Sequence, residues 1–313
     1  MKIKNLIEKN KYALASFAVL ATLSTIFSGF DDPVILALRL LVCVCSALFF
    51  SLCVKKEDDI YLSAFFLLAL ISSNVIFLTE DIHILLSVSF FLLSLAFSEK
   101  LKYLSPVFAA LCILFQPLTI AFFAPTIIIT LLFKKHNIPA VISALSCAGA
   151  FVFTKAAENS EFYAEQFSSY HLNLHLVHFS NVHIENLSAF LIASIPLLAV
   201  ILFIIIKSVI DKNFLIAVST VISFLSALYG FALSKNLETV ILILVPVFAF
   251  LLCVSDKKGF EKTFNSFNDF FKKRILLFLL IIAFVASFPL VFGSVPYEED
   301  FFSKITFIIF RQE

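Results

Sequence analysis

The chain has 313 residues, of which 61% are hydrophobic and 14% charged, and its mean hydropathy is +1.04. A soluble domain is nearer half apolar and a quarter charged, so composition excludes an ordinary soluble enzyme. The net charge of +1 says nothing about partners, and no basic tract suggests nucleic acid.

Apolar runs of membrane-spanning length fill most of the chain, and a helix needs ~20 such residues to cross a bilayer. Spans are predicted over 13–29, 34–54, 60–78, 82–98, 103–115, 118–133, 138–154, 188–207, 213–232, 238–254 and 275–293. The fold class is therefore an all-α, polytopic transmembrane helical bundle of about eleven spans (ten to twelve), in a single domain over residues 1–313. The Lys-rich stretch Met1–Tyr12 has no convincing cleavage site after it and is read as leading into a retained first helix.

Charge alternates between the gaps. Lysines cluster at Lys2–Lys11, Lys55–Lys56, Lys100–Lys102, Lys134–Lys135, Lys207–Lys212 and Lys257–Arg274. The positive-inside rule places these gaps and the N-terminus in the cytoplasm of a multi-pass cell-membrane protein, and an odd number of spans leaves the C-terminus outside. The opposite face receives Phe30–Pro33, Thr79–His83, Gln116–Pro117, the long loop at 155–187 and Ser234–Glu238.

The first outer gap carries Asp31 and Asp32, followed by Pro33. Such a pair can bind a divalent metal, act as a general base or cap a helix. Asp32 before Pro33 has the form of an N-cap with Pro at the first helical position. Arg39 falls two turns into the following span. A charge there must face the protein interior and find a partner, and its planar fork suits phosphate. The next outer gap brings Glu80, Asp81 and His83 to the same face, with N-capping by Asp81 as the competing reading. The two short spans around Gln116–Pro117 have the form of one hairpin.

In the long outer loop, Glu158, Glu161 and Glu165 recur at near-helical spacing and predict a juxtamembrane helix. His171, His175, His178 and His183 follow. The first three share a face if helical, as zinc ligands would, but polar packing or substrate contact suits them as well. Between Ser255 and Arg274, phenylalanines recur among charges, which predicts an amphipathic helix on the inner membrane surface. The six cysteines lie within or beside apolar runs and read as small buried hydrophobes.

The stretch 34–154 resembles the class C (GT-C) membrane glycosyltransferases. The resemblance rests on the succession of Asp31-Asp32-Pro33, ALRLLVCVCSALFFSLCVKK with Arg39, FLTEDIHILLSVSFFLLSLAFSEK and LCILFQPLTIAFFAPTIIITLLFKK. It implies transfer of a sugar from a polyprenyl-phosphate donor at the outer face, as a hexosyltransferase does, with membrane lipid and the lipid-linked sugar as partners. It also implies Asp31 or Asp32 as general base or as ligand of a divalent metal. Arg39, Glu80, Asp81 and His83 would hold the donor phosphate or the metal, with Gln116 and the loop histidines His171, His175 and His178 about the substrate. The chain departs from the family pattern in its very short first outer loop and in Gln116, where a cation is usual. Two other functions fit the same residues: a transporter or flippase of lipid-linked saccharide, and a non-catalytic membrane partner of the same fold.

Overall fold

The computed structural model describes residues 10–28, 32–53, 60–72, 81–168, 184–233, 244–255, 261–275 and 277. These form helices α1 (Lys11–Ser28), α2 (Pro33–Cys53), α3 (Ile60–Ser72), α4 (Ile82–Lys100), α5 (Ser105–Phe115), α6 (Phe123–Phe133) and α7 (Asn137–Ala156). They continue with α8 (Glu161–Ser168), α9 (Ile184–Ile210), α10 (Phe214–Leu233), α11 (Leu244–Val254) and α12 (Glu261–Lys272). A 3₁₀ turn, Pro117–Ala121, joins α5 to α6, and no strand occurs among the described residues. The last predicted span, 275–293, lies almost wholly outside them.

Three helices, α2, α4 and α7, are long and apolar enough to cross a membrane, and several shorter apolar helices accompany them. A helix of 11 residues such as α5 or α6 is only ~16 Å long. The two are the arms of the predicted hairpin. At its tip Gln116, Pro117, Leu118 and Thr119 are buried rather than presented to solvent.

The bundle buries a large apolar core and yet also exposes apolar side chains on its outer surface. On α7, Ile138, Val141, Leu145, Val152 and Phe153 are each about 60–70% exposed. Hydrocarbon accommodates such a surface and water does not. Hydroxyls are set into this core: Ser87, Ser94, Ser98, Ser105, Thr119, Thr126 and Thr130 are all buried. Small hydroxylated residues let helices approach closely and bond across the interface. Ser87 Oγ donates to the Cys112 carbonyl (3.0 Å) and Ser94 Oγ to the Ser105 carbonyl (2.9 Å), fixing α4 and α5 antiparallel in one register. Rings fill the rest: Phe90 stacks on Phe108 and Phe115, and Phe91 lies 4.1 Å from Phe123.

The helix predicted between Ser255 and Arg274 is present as α12, but its apolar edge is turned to protein. Phe264, Phe267 and Phe271 are buried. Phe65 of α3 meets Phe271 at 5.0 Å and Phe248 of α11 at 6.2 Å, and Phe203 of α9 meets Phe270 at 4.9 Å. The described phenylalanines of this amphipathic helix thus pack against protein. Aromatic surface available inside the bundle removes those rings from water and adds ring–ring geometry.

Two lysine-rich turns share one geometry. Lys135 and Lys212 have φ of 59° and 61°. After α6, His136 N–H reaches the Leu131 carbonyl and Lys135 N–H the Leu132 carbonyl, both at 2.9 Å. After α9, Asn213 N–H reaches Ser208 (2.7 Å) and Lys212 N–H reaches Val209 (3.0 Å). Both are Schellman closures with lysine at the left-handed position that glycine usually takes.

Candidate functional site at the acidic end

Asp32 and Asp81 mark one end of the bundle. Asp32 Oδ1 accepts from Val34 N–H (2.8 Å) and Ile35 N–H (3.2 Å). Asp81 Oδ1 accepts from His83 N–H (2.8 Å) and Ile84 N–H (3.3 Å). Both aspartates are thus helix N-caps, placed where the partial positive charge of the helix start favours a carboxylate. Each cap uses Oδ1, which leaves Oδ2 as the oxygen for any further chemistry.

Arg39 lies two turns inside this end and is 4% exposed. Helices α2 and α4 run side by side and parallel, with Cys45 meeting Ser89 and Cys53 reaching the Leu95 carbonyl at 3.9 Å. Carried toward the acidic end, that register brings Arg39 level with His83. The antiparallel register of α4 and α5, carried one turn past Ser87 and Cys112, brings Gln116 level with His83 too. Three residues singled out from the sequence on different helices therefore share one height. Asp32 and Asp81 stand above them at the helix starts.

The predicted loop helix covers this end as α8. Phe162 meets the His83 ring edge-to-face at 4.7 Å, and Tyr163 Oη donates to the Leu114 carbonyl at 2.9 Å. Tyr163 is 8% exposed. His83 Nδ1 is buried without a hydrogen-bond partner among the described residues. Lys155 pairs with Glu158 and lies over the Phe167 ring at 5.0 Å.

Asp31, Glu80, His171, His175, His178 and His183 lie outside the described residues. Among the described residues no three His, Cys, Asp or Glu side chains gather closely enough to hold a metal ion.

The opposite, lysine-rich end carries groups that sequence reasoning did not connect. Lys134 is 5% exposed, donates to Ser98 Oγ (2.8 Å) and pairs with Glu99 (3.1 Å). Burial disfavours its ammonium, but Cys253, Cys53 and Glu99 around it prevail, and its pKa is raised. Asp211, in the turn between α9 and α10, pairs with Lys207 and Lys262, each at 3.3 Å. Thr263 Oγ1 also donates to Asp211 (3.2 Å), and Asn213 Nδ2 donates to Thr263 (2.9 Å). Burial would raise the Asp211 pKa, but its hydrogen bonds to Lys207 and Lys262 draw the carboxyl below its ordinary value. Only the Lys-rich composition of these turns was visible beforehand; Lys207 is a local partner of Asp211, while Lys262, Thr263, Ser98 and Glu99 come from distant helices.

No known protein family, curated protein or solved structure matches the chain.

Proposed function

We propose that this chain is a multi-pass membrane protein of about eleven spans with its lysine-rich end in the cytoplasm. In this reading it is glycosyltransferase-like and handles a polyprenyl-phosphate-linked sugar at its acidic, outer end. What supports the reading is the pair of helix registers, which, carried to the acidic end, bring Arg39, His83 and Gln116 to a similar height beneath the capping aspartates. A guanidinium buried there is suited to a phosphate anion, and the phosphate of a lipid-linked donor rests at headgroup level. Asp32, or Asp31 beside it, is the candidate general base, since a base must lie within hydrogen-bond reach of the acceptor hydroxyl. Orientation follows from the lysines in the turns after α4, α6, α9 and α12.

The direct test supplies radiolabelled polyprenyl-phosphate sugar to the purified protein and follows transfer to an added acceptor alcohol. Loss of transfer in Asp32→Asn, which keeps a cap-competent side chain, supports the base assignment. Unchanged transfer in Asp31→Asn, Asp32→Asn removes it.

A second reading, a non-catalytic membrane partner of the same architecture, is favoured by one observation. Both described acids are already engaged as caps. Under this reading Arg39 substitution weakens lipid-phosphate binding, and no labelled sugar moves at all.

A further inference from the structure

Cys53 and Cys253 are 200 positions apart in the chain, yet their sulfurs lie 3.7 Å from each other, in van der Waals contact. Cys53 is the last residue of α2 and Cys253 the penultimate residue of α11. Neither is in a disulfide. Closing the contact to a bond therefore displaces two helix ends rather than two helix middles. The remaining cysteines, Cys43, Cys45, Cys112 and Cys147, sit within helices. Cys112 is held there by Ser87 and Thr119.

The charged neighbour distinguishes this pair further. Lys134 interacts electrostatically with both thiols. Its Nζ is fixed by Ser98 Oγ at 2.8 Å and Glu99 at 3.1 Å, so the ammonium does not swing away. The second sulfur and burial hold Cys53 as a thiol at rest, and Lys134 is the neighbour that favours the thiolate, the nucleophile in thiol chemistry.

We propose that Cys53 and Cys253 are a reversible dithiol–disulfide pair that ties the end of α2 to the end of α11 when a small peroxide reaches it. One thiolate attacks a peroxide oxygen. The O–O bond breaks, a sulfenic acid forms, and the departing hydroxide takes a proton to become water. The second sulfur attacks the sulfenic sulfur, the S–O bond breaks, and a second water leaves with the remaining thiol proton. Two thiols are oxidised and one hydrogen peroxide is reduced to two waters, so the step balances. Cysteine pairs facing a reducing compartment rest as thiols and oxidise transiently. The bond also restrains α2, the helix that carries Arg39 toward its other end.

The test uses the full chain in lipid nanodiscs, exposed to hydrogen peroxide, then denatured and treated with a mass-tagged maleimide. The reduced chain has six reactive thiols, and the oxidised chain is expected to show two fewer. Peptide mapping is expected to join Cys53 to Cys253, and dithiothreitol to restore both. Cys53→Ser and Cys253→Ser each abolish the change, Cys147→Ser does not, and Lys134→Gln slows it several-fold. The wild-type map decides the matter even if a variant misfolds. Six thiols still reactive after a dose that oxidises a small dithiol would overturn the proposal, as would a linkage joining any other cysteine pair.

Discussion

The two ends of the bundle handle charge in opposite ways. At the lysine-rich end, cations and anions meet each other: Lys134 with Glu99, and Asp211 with Lys207 and Lys262. At the acidic end, Asp32 and Asp81 meet backbone amides, His83 meets a ring, and Arg39 is buried two turns down. Mutual pairing fastens elements, since Asp211 and Thr263 anchor α12 while Lys134 joins the start of the α6–α7 turn to α4. Capping fixes helix starts at modest cost and leaves a carboxylate oxygen for other work. The difference sets mutual ion pairing at one end against capping of helix starts at the other.

The contrast breaks most visibly at the aromatic seam beneath α12. Phe267 is fully buried against Phe65 and Phe203. Phe267→Ala is expected to cost about 3 kcal/mol or more, as large-to-small changes of buried phenylalanines do. Equilibrium unfolding in mixed detergent measures it, and a loss below a few tenths would mean that α12 is not docked. Lys134→Met should cost about 3 kcal/mol by leaving Glu99 without its cation. Adding Glu99→Gln should recover part of that loss, and a double-mutant cycle with no coupling would argue against the pair.

At the acidic end smaller effects are expected. Asp32→Ala and Asp81→Ala should each cost about 1 kcal/mol as lost caps, while the Asn variants stay within a few tenths. If the Asn variants keep stability but lose sugar transfer, capping and chemistry separate at the same residue. The reverse pattern, with activity following stability alone, assigns these aspartates to structure only.

The Asp211 cluster adds a pH dependence peculiar to the lysine-rich end. The folded carboxyl titrates below its ordinary value of 3.8. Its contribution is therefore complete above that value and fades as pH falls through the lower, folded one. Melting temperature followed under acid should drop less steeply for Asp211→Asn than for wild type. Identical acid slopes would mean that the lysines do not hold the carboxylate. The smallest change is a gain: Lys135→Gly or Lys212→Gly should stabilise by up to about 1 kcal/mol, because glycine meets no Cβ penalty at positive φ.

Much of this was legible in the residues. Apolar periodicity and lysine turns located α1, α2, α4 and α7 to within a few residues, and Asp32-Pro33 announced its cap. The acids before the long loop's histidines foretold α8, and Gln116–Pro117 foretold the hairpin break. These features are local: a bilayer-length apolar run, a side chain bonding amides two and three residues on, and a proline lacking an N–H each act within one or two turns. The tertiary structure alone decided the rest. Nothing local tells Phe267 whether lipid or Phe65 will cover it, since both are apolar. Nothing local brings Cys53 to Cys253, Lys134 to Ser98, or Arg39 level with His83 and Gln116, because helix register is set by hydroxyl bonds and ring packing between distant segments. Sequence by itself determined the local helical elements and the distribution of lysines and acids between them. Packing determined which of the charged and nucleophilic groups at each end became neighbours.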